Sequence, residues 1–141
     1  MKPASELGEA LRARFASEPV ARLATNGPSG PHLVPIVFAL ADDAIVTAVD
    51  HKPKKTRRLQ RLYNIERDPQ VAVLTDHYEP DWSRLWWIRA DGIAEILDTG
   101  LRFEAALDRL VAKYPQYRSN RPTGPVVHIR VRKWSAWEGD R

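Results

Sequence analysis

The residues best placed to do chemistry in this 141-residue chain are the cations packed between His51 and Arg67. Lys52, Lys54, Lys55, Arg57, Arg58, Arg61 and Arg67 face a single acid, Glu66, so this stretch carries a surplus larger than the net charge of +4 of the whole chain. It follows the apolar run Ile45–Val49 and runs into a helical pattern from Thr56. A strand ending in a basic loop at a helix start gathers free backbone N–H groups, the positive end of a helix dipole and several cations around one point, which suits a phosphate. Each such contact is worth about 0.3–1 kcal/mol, so several must converge to hold a ligand. The composition alone is equally compatible with a solvated basic helix face. Pro53 and the lack of glycine separate the segment from a P-loop, and no GxGxxG fingerprint occurs in the chain. Arg57, Arg58 and Arg61 could serve a single-stranded nucleic acid. The concentration of charge in one segment, with 16 arginines against 6 lysines overall, favours a compact anion instead, and no nucleic-acid partner is expected.

Other chemistries find little support. The chain has no cysteine, which excludes disulfide scaffolds, thiolate zinc sites, iron–sulfur clusters and Cys nucleophiles. His32, His51, His77 and His128 fall into no metal spacing, so no metal is expected, and no G-x-S-x-G elbow or Ser-His-Asp arrangement is visible. Asp42-Asp43 reads as a turn, not as a pair of glycosidase acids. The missing acid–base machinery weighs against a hydrolase but not against a redox protein whose cofactor carries the chemistry. Five tryptophans, Trp82, Trp86, Trp87, Trp134 and Trp137, are available as core, as interface or as walls for a flat ring. Trp86 and Trp87, adjacent on a strand, must point to opposite faces.

The elements that must position these residues follow from periodicity. Ser5 is a candidate N-cap for a first helix with Leu7, Leu11 and Phe15 at four-residue spacing. Val20–Thr25 reads as a strand, residues 26–31 as a turn, and His32–Leu40 as a strand forming a hairpin with Ala44–Val49, with Pro35 at a bulge or unpaired position. The basic helix places Leu59, Leu62, Tyr63 and Glu66 on one stripe, and Asp68-Pro69 ends it. Val71–Thr75 and a long strand from Leu85 to Leu97, bulged at Gly92, precede a helix that Thr99 would cap and whose stripe is Phe103, Leu107, Leu110, Val111 and Tyr114. Val127, Ile129 and Val131 alternate with polar residues in a final strand. Strands joined by short turns, with helices between, predict a mainly β protein: an antiparallel barrel with flanking helices. With 43% hydrophobic and 28% charged residues the chain is expected to fold as one domain over 1–141, its N-terminal helix (1–17) packed on the barrel. The longest apolar runs are near nine residues and the N-terminus has no apolar h-region, so no membrane span or signal peptide is expected and the protein is read as cytoplasmic.

The run VDHKPKKTRRLQRLYNIERDPQVAVLTDHY, followed by DWSRLWWIRADGIAEIL, resembles the pyridoxamine 5′-phosphate oxidase-like superfamily, and within it the small coenzyme F420-dependent (deazaflavin) oxidoreductases. The similarity extends from about Ala21 to Trp137 and includes TNGPSGPHLVPIVFAL and VVHIRVRKWSAW. It implies a split β-barrel of the FMN-binding-protein type with Greek-key topology, assembled as a homodimer with cofactor sites in the grooves between subunits. Carried across, the cofactor lies along the strand holding Thr47 and Ala48, with Val34 and Pro35 beneath the ring. Lys52, Lys54 and Lys55 match the family's phosphate ligands, with Thr56, Arg57 and Arg61 as helpers, and Trp86 and Arg89 lie near the ring. The chain departs from true pyridoxamine phosphate oxidases by ending in Arg132-Lys133-Trp134-Ser135-Ala136-Trp137 without their substrate-phosphate signature. The resemblance therefore implies hydride transfer between F420 and a small organic substrate, with FMN as the alternative cofactor, and a flavin or deazaflavin carrier as the non-catalytic alternative. Tyr78, His77 or water is the candidate proton donor, and no other catalytic residue is assigned.

Overall fold

A computed structural model describes residues 7–49 and 59–139. Helix α1 (Glu9–Ser17) leads into β1 (Ala21–Gly27), β2 (Gly30–Ile36), β3 (Ala39–Ala41) and β4 (Ala44–Ala48), followed by α2 (Gln60–Arg67), β5 (Gln70–His77), β6 (Trp86–Leu97), α3 (Leu101–Lys113) and β7 (Val126–Glu138). The seven strands form one antiparallel sheet in the order β2-β1-β5-β6-β7-β4-β3.

Alternation decides which face is core. Leu23, Val73, Ile88 and Ala90 are buried on one side of the β1-β5-β6 ladder, while Arg22, Ala24, Ala72, Leu74, Trp87 and Arg89 face outward. Ile36 of edge strand β2 and Ile45 of β4 join the same apolar cluster, so the sheet curls until its two ends share an interior. Helix α1 plugs that interior with Phe15, whose ring meets Phe38 and Trp134 edge-on at centroid distances of 5.1 and 5.0 Å. Helix α3 covers a second cluster against Val46, Ala48 and Val126.

The curl is not closed by hydrogen bonds. Strands β2 and β3 are the two edges of the ladder, and no pairing joins them among the described residues. The antiparallel barrel expected from the sequence is thus an open sheet with a split between its edges, beside which Pro35 sits on an edge strand where a residue without an N–H costs little.

Several local expectations also change. The expected strand His32–Leu40 is two strands, one pairing with β1 and the other with β4, broken at Val37-Phe38. At that break side chains replace the ladder. Thr47 Oγ1 donates to the Val37 carbonyl at 2.7 Å, and the Tyr114 hydroxyl accepts from the Phe38 N–H at 3.0 Å. Gly8 and Gly100 occupy the N-cap positions of α1 and α3, where Ser5 and Thr99 were expected, and Ser5 lies outside the described residues. Helix α2 buries Leu62, Asn64 and Ile65, while Tyr63 and Glu66 are exposed, a rotation from the expected stripe. The irregularity falls at Gly92 as expected, but the bulged strand is β7 and not the long strand β6, with Arg132 as the extra residue between the partners of Asp91 and Gly92. An added Cβ on Gly92 would lie 2.5 Å from the Arg130 carbonyl oxygen, so the close approach of β7 there requires glycine.

Candidate functional site

The split in the sheet holds a cleft of about 240 Å³ lined by Val20, Pro35, Ile36, Val37, Thr47, Ala48, Leu59 and Arg61. Four separate stretches meet there: Val20 just before β1, the β2 end with the break after it, the end of β4, and the start of α2. Pro35 and Ile36 form one wall, Thr47 and Ala48 the other, and Thr47 ties the two together through its bond to the Val37 carbonyl. The Val49 N–H continues the β4 wall by bonding the Pro125 carbonyl at 2.9 Å. Arg61, half-buried, brings a permanent positive charge to an otherwise largely apolar cleft.

A larger groove of about 660 Å³ lies on the outer face of the sheet, lined by Arg22, Ala24, Leu33, Ala72, Leu74, Asp76, Tyr78, Trp87 and Arg89. In the β1-β2 ladder Pro35 of the cleft pairs with Arg22 of the groove, so both border the same strand pair. Its floor is apolar and its charges are paired: Arg22 reaches Asp76 at 3.5 Å, and Arg89 reaches Asp91 at 3.2 Å. The Arg89 guanidinium also stands 5.8 Å from the centre of the Trp87 ring.

Pro35, Thr47, Ala48 and Arg61 thus come together from the sequence-derived set, and Val20, Ile36, Val37 and Leu59 complete the cleft. No local signal marked those four, because they are ordinary apolar residues brought to the split by the curl of the sheet. Val34 points inward and packs against the main core. Arg89 faces the outer groove and not the cleft. Trp86 is 9% exposed and belongs to the core, beneath the Arg14 guanidinium 5.0 Å from its ring centre, so its neighbour Trp87 is the tryptophan on the groove side. Lys52, Lys54, Lys55, Thr56 and Arg57 lie outside the described residues. Tyr78 borders the groove, whereas His77 Nε2 is 2.6 Å from Glu79 Oε2 in a polar cleft beside α1. Among the described residues no group of three His, Asp or Glu side chains could hold a metal, and no helix is long and apolar enough to cross a membrane.

The residues present suit an elongated ligand with an anionic end and a flat apolar body. The cleft supplies an arginine at a helix start between the apolar walls of Pro35 and Ala48, and the groove on the neighbouring face supplies aliphatic and indole surface.

An antiparallel sheet curled around one core, split between its edges and plugged by helices defines the split-barrel class. The model of the family described as pyridoxamine 5′-phosphate oxidase matches residues 7–138, and the chain belongs to that family. None of the curated proteins matches it. Solved structures share the fold at low identity. A conserved hypothetical protein from Mycobacterium tuberculosis superposes with a TM-score of 0.74 at 24% identity, covering 94% of this chain and 86% of that one. A FAD-binding protein from Mesorhizobium loti gives 0.70 at 15% identity over 96% and 97%. A heme-binding protein from Mycobacterium smegmatis gives 0.74 at 21% identity, covering 96% of this chain but 56% of that one.

Proposed function

We propose that this protein is an oxidoreductase that binds a phosphate-bearing flavin-type cofactor, coenzyme F420 with FMN as the alternative, at the split of the sheet. The observation that carries this reading is the meeting of Pro35, Thr47, Ala48 and Arg61 around one cleft, with an apolar groove bordering the same β1-β2 strand pair. The family and the FAD-binding neighbour support a flavin-type ligand, and the resemblance of the central segment to deazaflavin enzymes favours F420.

When bound, such a cofactor supplies hydride transfer, so the protein needs no nucleophile of its own. Arg61 contributes charge to hold the anionic end, and the segment 52–57 adds the cations read from the sequence. Pro35 and Ala48, on opposite walls of the cleft, would bound such a ring. Thr47, committed to the Val37 carbonyl, keeps the walls at fixed separation. Tyr78, at the groove, is the candidate proton donor on the substrate side.

The assembly proposed with this reading is a homodimer in the cytoplasm. Leu33, 67% exposed, and Tyr78, 64% exposed, leave the outer face more apolar than a solvated sheet requires, and the intrachain Arg22–Asp76 and Arg89–Asp91 pairs leave it little net charge to repel a second copy. A second copy on that face would close the open side of the groove.

Titrating the purified protein with F420 and with FMN, following tryptophan fluorescence, tests the reading. Micromolar F420 binding with weak FMN binding is expected; preference for FMN moves the protein to the flavin branch, and binding of neither removes the proposal.

A further inference from the structure

We propose that Asn64 is a positioning residue that locks the rotation of α2 and thereby aims Arg61 into the cleft. This inference rests on the anion-binding reading of that cleft. Helix α2 has only eight residues and buries two apolar side chains, Leu62 and Ile65. Between them sits the amide of Asn64, 1% exposed, where a leucine would bury more apolar surface.

The amide is fully directed. Asn64 Nδ2 donates to Thr25 Oγ1 at 2.9 Å, and its Oδ1 accepts from Gln60 Nε2 at 2.9 Å. Thr25 is itself 2% exposed. The next residues of β1 continue the clamp: the Asn26 carbonyl accepts from Arg67 at 2.9 Å, and Asn26 Nδ2 donates to Asp68 at 3.1 Å. At Gly27 an added Cβ would stand 3.3 and 3.4 Å from the two amide atoms of Asn64, so the strand lies directly against it. Three consecutive residues at the end of β1 therefore grip the same face of α2.

A buried polar pair of this kind adds little net stability over an apolar replacement but fixes one arrangement against its neighbours. Apolar side chains form no directional bond, and helix packings scatter by about 15–20° in crossing angle. Arg61 extends roughly 9 Å from the helix axis, so a rotation of about 20° moves its guanidinium by roughly 3 Å, the length of a hydrogen bond. Two buried aliphatic residues give that rotation no directional bond, and the Arg67 and Asp68 contacts with Asn26 are exposed at the far end of the helix, so the buried Asn64–Thr25 bond is the one that fixes it beside Arg61.

The test is a cycle of binding measurements with F420 and FMN as probes, on the full chain. Arg61→Ala is expected to weaken the tighter titration about 5-fold. The pair Thr25→Val with Asn64→Leu, which replaces both hydrogen-bonding partners by apolar groups of similar size, is expected to keep the melting temperature within a few degrees and to weaken binding by the same factor. Added to Arg61→Ala, the pair is expected to cost nothing more, and Thr25→Ser, which keeps the hydroxyl, is expected to bind like the unchanged protein. Unaltered binding in the pair, or a further 5-fold loss on top of Arg61→Ala, overturns the positioning role. If the pair fails to fold, Gln60→Ala removes one amide contact from the exposed side, with a loss of about 2-fold that disappears in the Arg61→Ala background; persistence of that loss there overturns the proposal equally. An unchanged affinity in Arg61→Ala alone overturns the anion-site reading, and this inference falls with it.

Discussion

Replacing Tyr114 by Phe removes a single oxygen that holds the break between β2 and β3. The Tyr114 hydroxyl accepts from the Phe38 N–H at 3.0 Å and has one proton to give, with the Pro19 carbonyl at 2.9 Å and the Phe38 carbonyl at 3.0 Å as acceptors. Phe38 is fully buried, between Phe15 and the Lys113 ammonium, so its N–H has no solvent to turn to. Leaving a buried N–H unpaired costs about 1–3 kcal/mol. The Phe ring retains the remaining packing, so we expect a loss of about 2 kcal/mol, or about 6 °C at roughly 3 °C per kcal/mol for a chain of this length. Urea unfolding followed by tryptophan fluorescence at one fixed protein concentration reads this directly, with an unchanged m-value. Because the adjacent Val37 carbonyl is held by Thr47 in the cleft, cofactor affinity in the variant is also expected to fall. A stability loss below about 0.5 kcal/mol would refute the reasoning, since the Phe38 N–H would then have another partner.

Three further expectations follow from other parts of the molecule. Gly92→Ala forces a methyl to within 2.9 Å of Ile129 Cγ2 as well as against the Arg130 carbonyl, and is expected to cost about 1–3 kcal/mol in the same unfolding assay; a neutral result would mean that β7 shifts freely at its bulge. Burial lowers the pKa of Lys113 to about 8 against an ordinary 10.5, with Glu18 opposing the shift, while its Nζ donates to the Glu18 carbonyl at 2.7 Å. Below about pH 8 the lysine is charged in both states and the cost of burying that charge is fully present; between about 8 and 10.5 the unfolded chain binds more protons, so this group's contribution to stability rises with pH. The lysine is half-exposed, which reduces a nominal 3 kcal/mol to about 1 kcal/mol, and that rise should appear in the difference between unchanged protein and Lys113→Met; a flat difference across the window would contradict it. Leu33→Asp, placed on the exposed outer face, is expected to convert a dimer to monomers in sedimentation, and an unchanged sedimentation coefficient would remove that face as the subunit contact.

What the sequence disclosed and what it concealed divide along a physical line. The strand Val71–Thr75, the first half of β7 with Val127, Ile129 and Val131, and the stripe of α3 are legible because alternation and helical period are local and the burying partner does not matter. The break at Val37-Phe38 was not, since the run 32–40 is uniformly apolar and its backbone is satisfied by Thr47 and by Tyr114, which lies 76 residues away along the chain from Phe38. The rotation of α2 was missed for a related reason: an asparagine reads as a surface residue until Thr25 is seen beneath it. Adjacent Trp86 and Trp87 had to face opposite ways, but only the completed sheet decides that Trp86 is core. At the site, the strand residues Pro35, Thr47 and Ala48 and the basic residue Arg61 were readable through resemblance, whereas the apolar lining at Val20 and Leu59 exists only after the curl.

The central claim is that a phosphate-bearing flavin-type cofactor occupies the split beside Arg61. A crystal structure of the protein grown with F420, and another with FMN, tests it most directly. The account expects one of them to show the anionic end within hydrogen-bond reach of Arg61 and the ring between Pro35 and Ala48, extending toward the outer groove. Well-ordered cofactor bound elsewhere, with the cleft filled only by solvent, would contradict it.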